Sequence, residues 1–170
     1  MVCQEGNEVR STLRARLPGT ASVYTAEVYA ILAAYTQIQI SKISKALIIS
    51  DSLAALKSIN PRHYTSHPLV KMIIDTQNSL PSPPKLLWIP SHTGIPLNEK
   101  ADQLAKEALN LTEISRIHHN PDDFLPTIPR QINLTAQQNW NNTPTFLQTI
   151  HPKIEKWQSN NQSSKIQETR

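Results

Sequence analysis

The stretch Ala46-Leu47-Ile48-Ile49-Ser50-Asp51-Ser52 decides the fold class. Residues 46–50 form an unbroken apolar or small run, the pattern of a short strand buried on both faces. Asp51-Ser52 opens a helix that continues through Ile59 and closes at Asn60-Pro61. A buried strand feeding directly into a helix belongs to a layered α/β architecture. On open sheets of that kind, ligand sites gather at the carboxyl ends of the strands, which is where Asp51 stands.

Toward the N-terminus, residues 22–38 predict a helix, and nearly every position from 26 to 34 is apolar or small. A helix apolar all round is a central, buried one. Ahead of it, residues 1–4 and 8–17 predict a hairpin around Glu5-Gly6-Asn7. Val9, Leu13, Ala15 and Leu17 alternate there with Arg10, Arg14 and Arg16, the period of a half-buried strand with a basic outer face. Toward the C-terminus, a helix over 67–80 ends at a proline cluster, and residues 85–89 form another apolar strand stopped by Pro90. A last helix over 97–109 carries Leu97, Ala101, Leu104 and Ala108 on one stripe. Two antiparallel strands followed by strand–helix alternation predict a mixed sheet with flanking helices, class α/β.

The chain has 170 residues, 17 Lys+Arg against 13 Asp+Glu, and formal charge +4. That length suits one domain of ~100–200 residues with a modest extension. The composition changes near Leu111. Beyond it come Pro121, Pro126, Pro129, Pro144 and Pro152 amid dense Asn, Gln, Ser and Thr. We therefore expect a domain over 1–111 and an extension over 112–170. Short helical pieces are predicted at 135–140 and 153–158, with a disordered end. One cysteine, Cys3, excludes a disulfide framework and a cysteine-rich zinc site. Three glycines exclude a glycine-rich phosphate loop. Met1–Gln4 leads into no apolar run, and nothing approaches the ~18 apolar residues of a membrane span. The expectation is a soluble intracellular protein, cytoplasmic or nuclear, neither secreted nor membrane-bound. A mildly basic charge permits a nucleic-acid partner without demanding one.

Three carboxylates stand where the pattern calls for other residues. Glu27 has Val23, Ala30 and Ile31 at its i−4, i+3 and i+4 positions. A charge in such a place must pair, bind a metal or sit at the mouth of a cleft, although a helix-start glutamate tolerated by the macrodipole is the plainer reading. Asp51 ends a buried strand, with a simple helix N-cap as its alternative. Asp102 lies four residues after Asn98 on one helix face, with a surface acid as its alternative. His92 occupies the loop Ser91-His92-Thr93-Gly94-Ile95 at the same rim as Asp51, whereas His118, His119 and the other histidines read as surface. Convergent carboxylates suit magnesium, which takes hard oxygen ligands and substrate phosphate. Two such ions about 4 Å apart activate water and stabilise the leaving oxygen of a phosphodiester.

Taken together, these segments resemble the ribonuclease H family, as found at the end of non-LTR retrotransposon polyproteins. The resemblance rests on Thr25-Ala26-Glu27-Val28-Tyr29-Ala30, on Ile49-Ser50-Asp51-Ser52 and on Trp88-Ile89-Pro90-Ser91-His92-Thr93-Gly94-Ile95. Asn98-Glu99-Lys100-Ala101-Asp102 completes it. Residues 150–157 look like the connector that follows the domain in those elements. The resemblance implies magnesium, with manganese as a substitute, held by Glu27, Asp51 and Asp102. It also implies water orientation by Glu27, proton transfer or product release by His92 on a mobile loop, and support or hybrid contact by Asn98. The implied reaction is hydrolysis of the RNA strand of an RNA–DNA hybrid, leaving a 3′-hydroxyl and a 5′-phosphate. Ser52, Arg10, Arg14, Lys57 and Lys100 are candidate substrate contacts, and an upstream reverse transcriptase portion is a candidate partner.

One departure matters. The family has a first strand, central in its sheet and ending in Thr-Asp-Gly-Ser, ahead of the hairpin partner that begins here at Met1. No aspartate precedes Asp51 in this chain. We therefore expect three of four core carboxylates, weakened metal affinity and unpaired strand edges. A truncated copy, or a reading frame opened at an internal methionine, is the simplest explanation. The competing expectations are an inactive remnant that binds nucleic acid weakly or not at all, and an unrelated α/β interaction module.

Overall fold

Ser22 starts the central helix. Its Oγ accepts the backbone N–H of Thr25 at 3.1 Å, a side-chain N-cap that satisfies one of the unpaired amides of the first turn. The helix, α1, runs Val23–Ile40. The structure, a computed structural model, describes residues 1–60, 65–143, 145–150 and 152–154.

Val28, Ile31, Leu32, Tyr35 and Ile38 of α1 are buried along one stripe. The helix was expected to be buried all round, but Ala26 is exposed and Tyr29, Ala30, Ala33 and Ala34 are half-buried because the packing partners cover one side. They pack with Leu69, Val70 and Ile73 of α3 (Pro68–Ser79), with Ile48 of β3 (Leu47–Ser50), and with Ala55 and Ile59 on and just past α2 (Leu53–Ser58). This is the hydrophobic core. Tyr35 is fully buried and its hydroxyl donates to Gln77 Oε1 at 2.9 Å. Burial pushes its phenol up to about 12.

β1 (Val2–Glu5) pairs antiparallel with β2 (Glu8–Thr12) around Gly6, whose φ of 58° is the left-handed conformation that favours glycine. β3 pairs parallel with β4 (Lys85–Trp88), Ile48 opposite Leu86 and Ser50 opposite Trp88. Both kinds of pairing expected of a mixed sheet are therefore present, but in two separate two-stranded sheets. Among the described residues, β1 and β3 each keep one edge without a strand partner.

That separation explains the strand burial. Residues 46–50 were expected to be covered on both faces; instead Ile48 and Ser50 are buried while Leu47 and Ile49 are 52% and 45% exposed. The core helices cover one face only. β4 is exposed along its length, where an apolar, covered strand was expected. The second hairpin strand stops at Thr12, and Val9 and Leu13 on its apolar side are exposed, not half-buried. Alternation marks which side a residue takes; burial needs a layer to cover that side.

α4 runs Pro96–Ala108 with proline in its first turn, where the missing N–H costs nothing. It packs against β1, and Arg14 ties the hairpin to it through Glu107 at 2.9 Å. The compact unit continues past the compositional change near 111, to Phe124. Arg16 Nη1 donates to the Leu111 carbonyl at 2.8 Å, the Ser115 amide donates to the Arg16 carbonyl at 2.7 Å, and Pro121–Phe124 form a 3-10 turn.

A second unit spans Leu125–Arg170. It contains α5 (Thr127–Asn142) and α6 (Phe146–Ile150), so the helix predicted at 135–140 is longer at both ends. The predicted piece at 153–158 and the predicted disordered end lie largely outside the described residues, as does Pro61. No helix among the described residues is long and apolar enough to cross a membrane.

Candidate active site

The three expected acids come from three elements, and among the described residues the ligand atoms that lie within 4.8 Å of one another include Asp102 but neither Glu27 nor Asp51. Asp51 follows the last residue of β3, and the helix after it is capped by Ser52, whose Oγ accepts the Ala55 amide at 3.4 Å. Asp51 is thus not the N-cap, and its carboxylate is left for other work. Its Oδ2 accepts a hydrogen bond from Asn98 Nδ2 at 3.2 Å, and its backbone carbonyl accepts Trp88 Nε1–H at 3.0 Å. Asn98, in the first turn of α4, therefore orients Asp51 across the rim.

Glu27 lies in α1, half-buried. Burial is the main cause that raises its carboxyl above the ordinary range, and the charges of Asp51 and Asp102 push it the same way. The Met1 ammonium opposes them. Three separate elements thus bring their acids into one another's field. Asp102 behaves differently. Its hydrogen bond from Lys106 Nζ, 2.7 Å away and one helical turn on, holds its carboxyl below the usual range.

His92 sits in the loop before α4 with φ of 55°. Its ring, Glu99 and Asp102 each offer a ligand atom, and these atoms lie within 4.8 Å of one another. Sequence reasoning placed His92 and Asp102 here and missed Glu99. The signal was available: Glu99 precedes Asp102 by three residues, so both share a helix face.

The other expected contacts have local duties. Arg10 pairs with Glu5 at 3.0 Å and Glu8 at 3.2 Å, Arg14 with Glu107, and Ser52 caps α2. His118 and His119 are exposed, while His63 and His151 lie outside the described residues. His67 is a correction. It is buried, edge-on to Tyr24 at 5.4 Å, and its Nε2 lies 3.1 Å from Thr25 Oγ1. The burial arises because Tyr24 and residues 120–123 close over the start of α3. Burial lowers its pKa, against the pull of Asp123 and Asp122.

Glu27 gives a sign-checked prediction. Its folded pKa is raised, so its stabilising contribution is complete below the ordinary glutamate value of about 4.3 and is lost as pH rises through the folded one. Metal-free Glu27→Gln should therefore have a higher urea midpoint than the parent chain at pH 7. That advantage should shrink toward roughly pH 4, where the parent glutamate is also protonated. An equal or lower midpoint at pH 7 would mean that neither burial nor the neighbouring acids disfavour the charged form of Glu27.

A sequence model of the RNase H family matches residues 1–110. No curated protein matches the chain.

Proposed function

The chain belongs to the RNase H family, and on that premise we propose that it hydrolyses the RNA strand of RNA–DNA hybrids once its acidic site is complete. Membership makes it a ribonuclease H-like nuclease of α/β fold with a nucleic-acid substrate. The observation that supports the finer reading is that one helix, α4, carries both Asn98, whose Nδ2 donates to the Asp51 carboxylate at the strand end at 3.2 Å, and Asp102, whose carboxylate lies within 4.8 Å of the His92 ring.

Glu27, Asp51 and Asp102 present hard carboxylate oxygens, the donor set that magnesium takes, with manganese as a substitute. When bound, the metal supplies positive charge at the scissile phosphate and its leaving oxygen. The chain's own residues do the rest. Glu27 orients the attacking water. Asn98 holds the Asp51 carboxylate. Lys106 keeps Asp102 ionised, and His92, beside Asp102, moves a proton at the rim. Such a site reads a hybrid by groove shape and 2′-hydroxyls, so no base-reading motif is required. Arg10 and Arg14 would reach phosphates by exchanging their present carboxylate partners.

The fourth acid is the open position. An aspartate on a strand entering between β1 and β3 would join the two strand pairs and add its carboxylate beside Glu27. We assign that strand to a segment ahead of the hairpin in a retrotransposon polyprotein, downstream of its reverse transcriptase portion. The place of action is then the cytoplasm or nucleus.

The test is substrate choice. With the strand supplied and magnesium present, the RNA strand of a labelled hybrid should be cut to 5′-phosphate products, with single-stranded RNA and duplex RNA left intact. Cleavage should weaken between roughly 50 and 200 mM salt as phosphate contacts are screened. Equal cutting of duplex RNA would contradict the hybrid assignment.

A further inference from the structure

Residues 120–124 lie beyond the family-matched region, yet they reach back to the helix that carries Glu27. Three side chains meet there: Thr25 is fully buried, His67 is 4% exposed and Asp123 is 8% exposed. Thr25 Oγ1 donates to the Asp123 carboxylate, 2.8 Å from both oxygens, and accepts from Ser22 Oγ at 3.2 Å. A hydroxyl has one proton and two lone pairs. With the proton given to Asp123, His67 Nε2 must be the donor to Thr25, which leaves His67 Nδ1 bare. That atom is buried without a partner, as is Asn120 Oδ1, and the two residues line one cavity of about 310 Å³.

Closing a core does not require this arrangement. A carboxylate taken nearly out of water is costly, and an apolar pair would fill the same space more cheaply. What distinguishes the cluster is its position. Thr25 is the third residue of α1, in the turn whose amides have no intrahelical acceptor and fray most readily. Glu27 follows two residues later.

We infer that Asp123, acting through the Thr25 hydroxyl with His67 as its second contact, is a positioning residue that latches the first turn of α1 and so sets the place of Glu27. The inference rests on the reading of Glu27 as a site acid. It extends the functional unit beyond the family-matched residues, to the 3-10 turn Pro121–Phe124.

The experiment compares the full chain with Thr25→Val, which keeps the shape and removes only the hydroxyl, and with Thr25→Ser, which restores it. Two readouts are taken: hydrogen exchange at the amides of Ala26, Glu27 and Val28, and line broadening by Mn2+ around Glu27, Asp51 and Asp102. In Thr25→Val, exchange at those three amides should rise at least about tenfold, the factor that losing a hydrogen bond to a carboxylate makes in an opening equilibrium. Amides of α3 should stay unchanged, and broadening at Glu27 should weaken. Thr25→Ser should match the parent on both. Unchanged local exchange, a rise spread over the whole unit, or local loosening with undiminished broadening at Glu27 would each overturn the latch. A parent chain that shows no broadening at the three acids would instead remove the metal-site reading, and this inference with it.

Discussion

Asp51→Asn should reduce hybrid cleavage by the completed site by more than about 100-fold while leaving the fold intact. Residues that merely orient a metal ligand cost roughly 10–100-fold when lost, so loss of the ligand's own charge should exceed that range. Asparagine keeps the size of the side chain but removes the anionic oxygens that magnesium prefers. Folding is spared for identifiable reasons. Ser52, not Asp51, caps α2, and the bond to Trp88 uses the backbone carbonyl of Asp51, which the substitution leaves in place. The carboxylate raises the Glu27 pKa by repulsion, so removing it should make the metal-free protein slightly more stable. Circular dichroism and a urea midpoint beside the cleavage assay separate the two effects. Retained cleavage would remove Asp51 from the mechanism.

Much of this site was legible in the sequence because its signals are local. A charge inside an apolar helix, an acid at a strand end and an i, i+4 pair on one helix face are each decided within a few residues. Glu27, Asp51, Asn98 and Asp102 were singled out that way; the structure joins Asn98 to Asp51 by a hydrogen bond and sets Asp102 beside His92 and Glu99. Glu99 had the same kind of signal through its spacing from Asp102.

The rest depended on contacts far apart in the chain. His67 looks like any loop histidine until Asp123, 56 positions later, closes the other side of Thr25. The apolar runs at 46–50 and 85–89 encode strands, but their composition anticipates coverage on two faces where the core helices cover one. Nor could the turn from domain to extension be placed by composition. Polar, proline-rich sequence begins near 111, whereas hydrogen bonds from Arg16 and Thr25 carry the compact unit on to Phe124.

The unpaired edges of β1 and β3 lead to the second large effect, the gain expected from a strand between them. Isolated two-stranded sheets are marginal in water, and a free edge is a template for a further strand. A strand paired on both sides would satisfy both edges and join the antiparallel and parallel pairs into one mixed sheet. Its aspartate would also meet Glu27, whose carboxyl already carries the repulsion of two acids. That fourth charge should therefore raise metal affinity while costing stability when no metal is bound.

The most direct measurement is magnesium-dependent cleavage of one labelled RNA–DNA hybrid by three proteins: the 170-residue chain as it stands, the chain preceded by a strand ending Thr-Asp-Gly-Ser, and the same extension with asparagine replacing that aspartate. The account predicts rapid cleavage by the aspartate form alone, with the asparagine form equally folded and inactive. Cleavage by the chain as it stands at the same rate, or undiminished cleavage by the asparagine form, would contradict it.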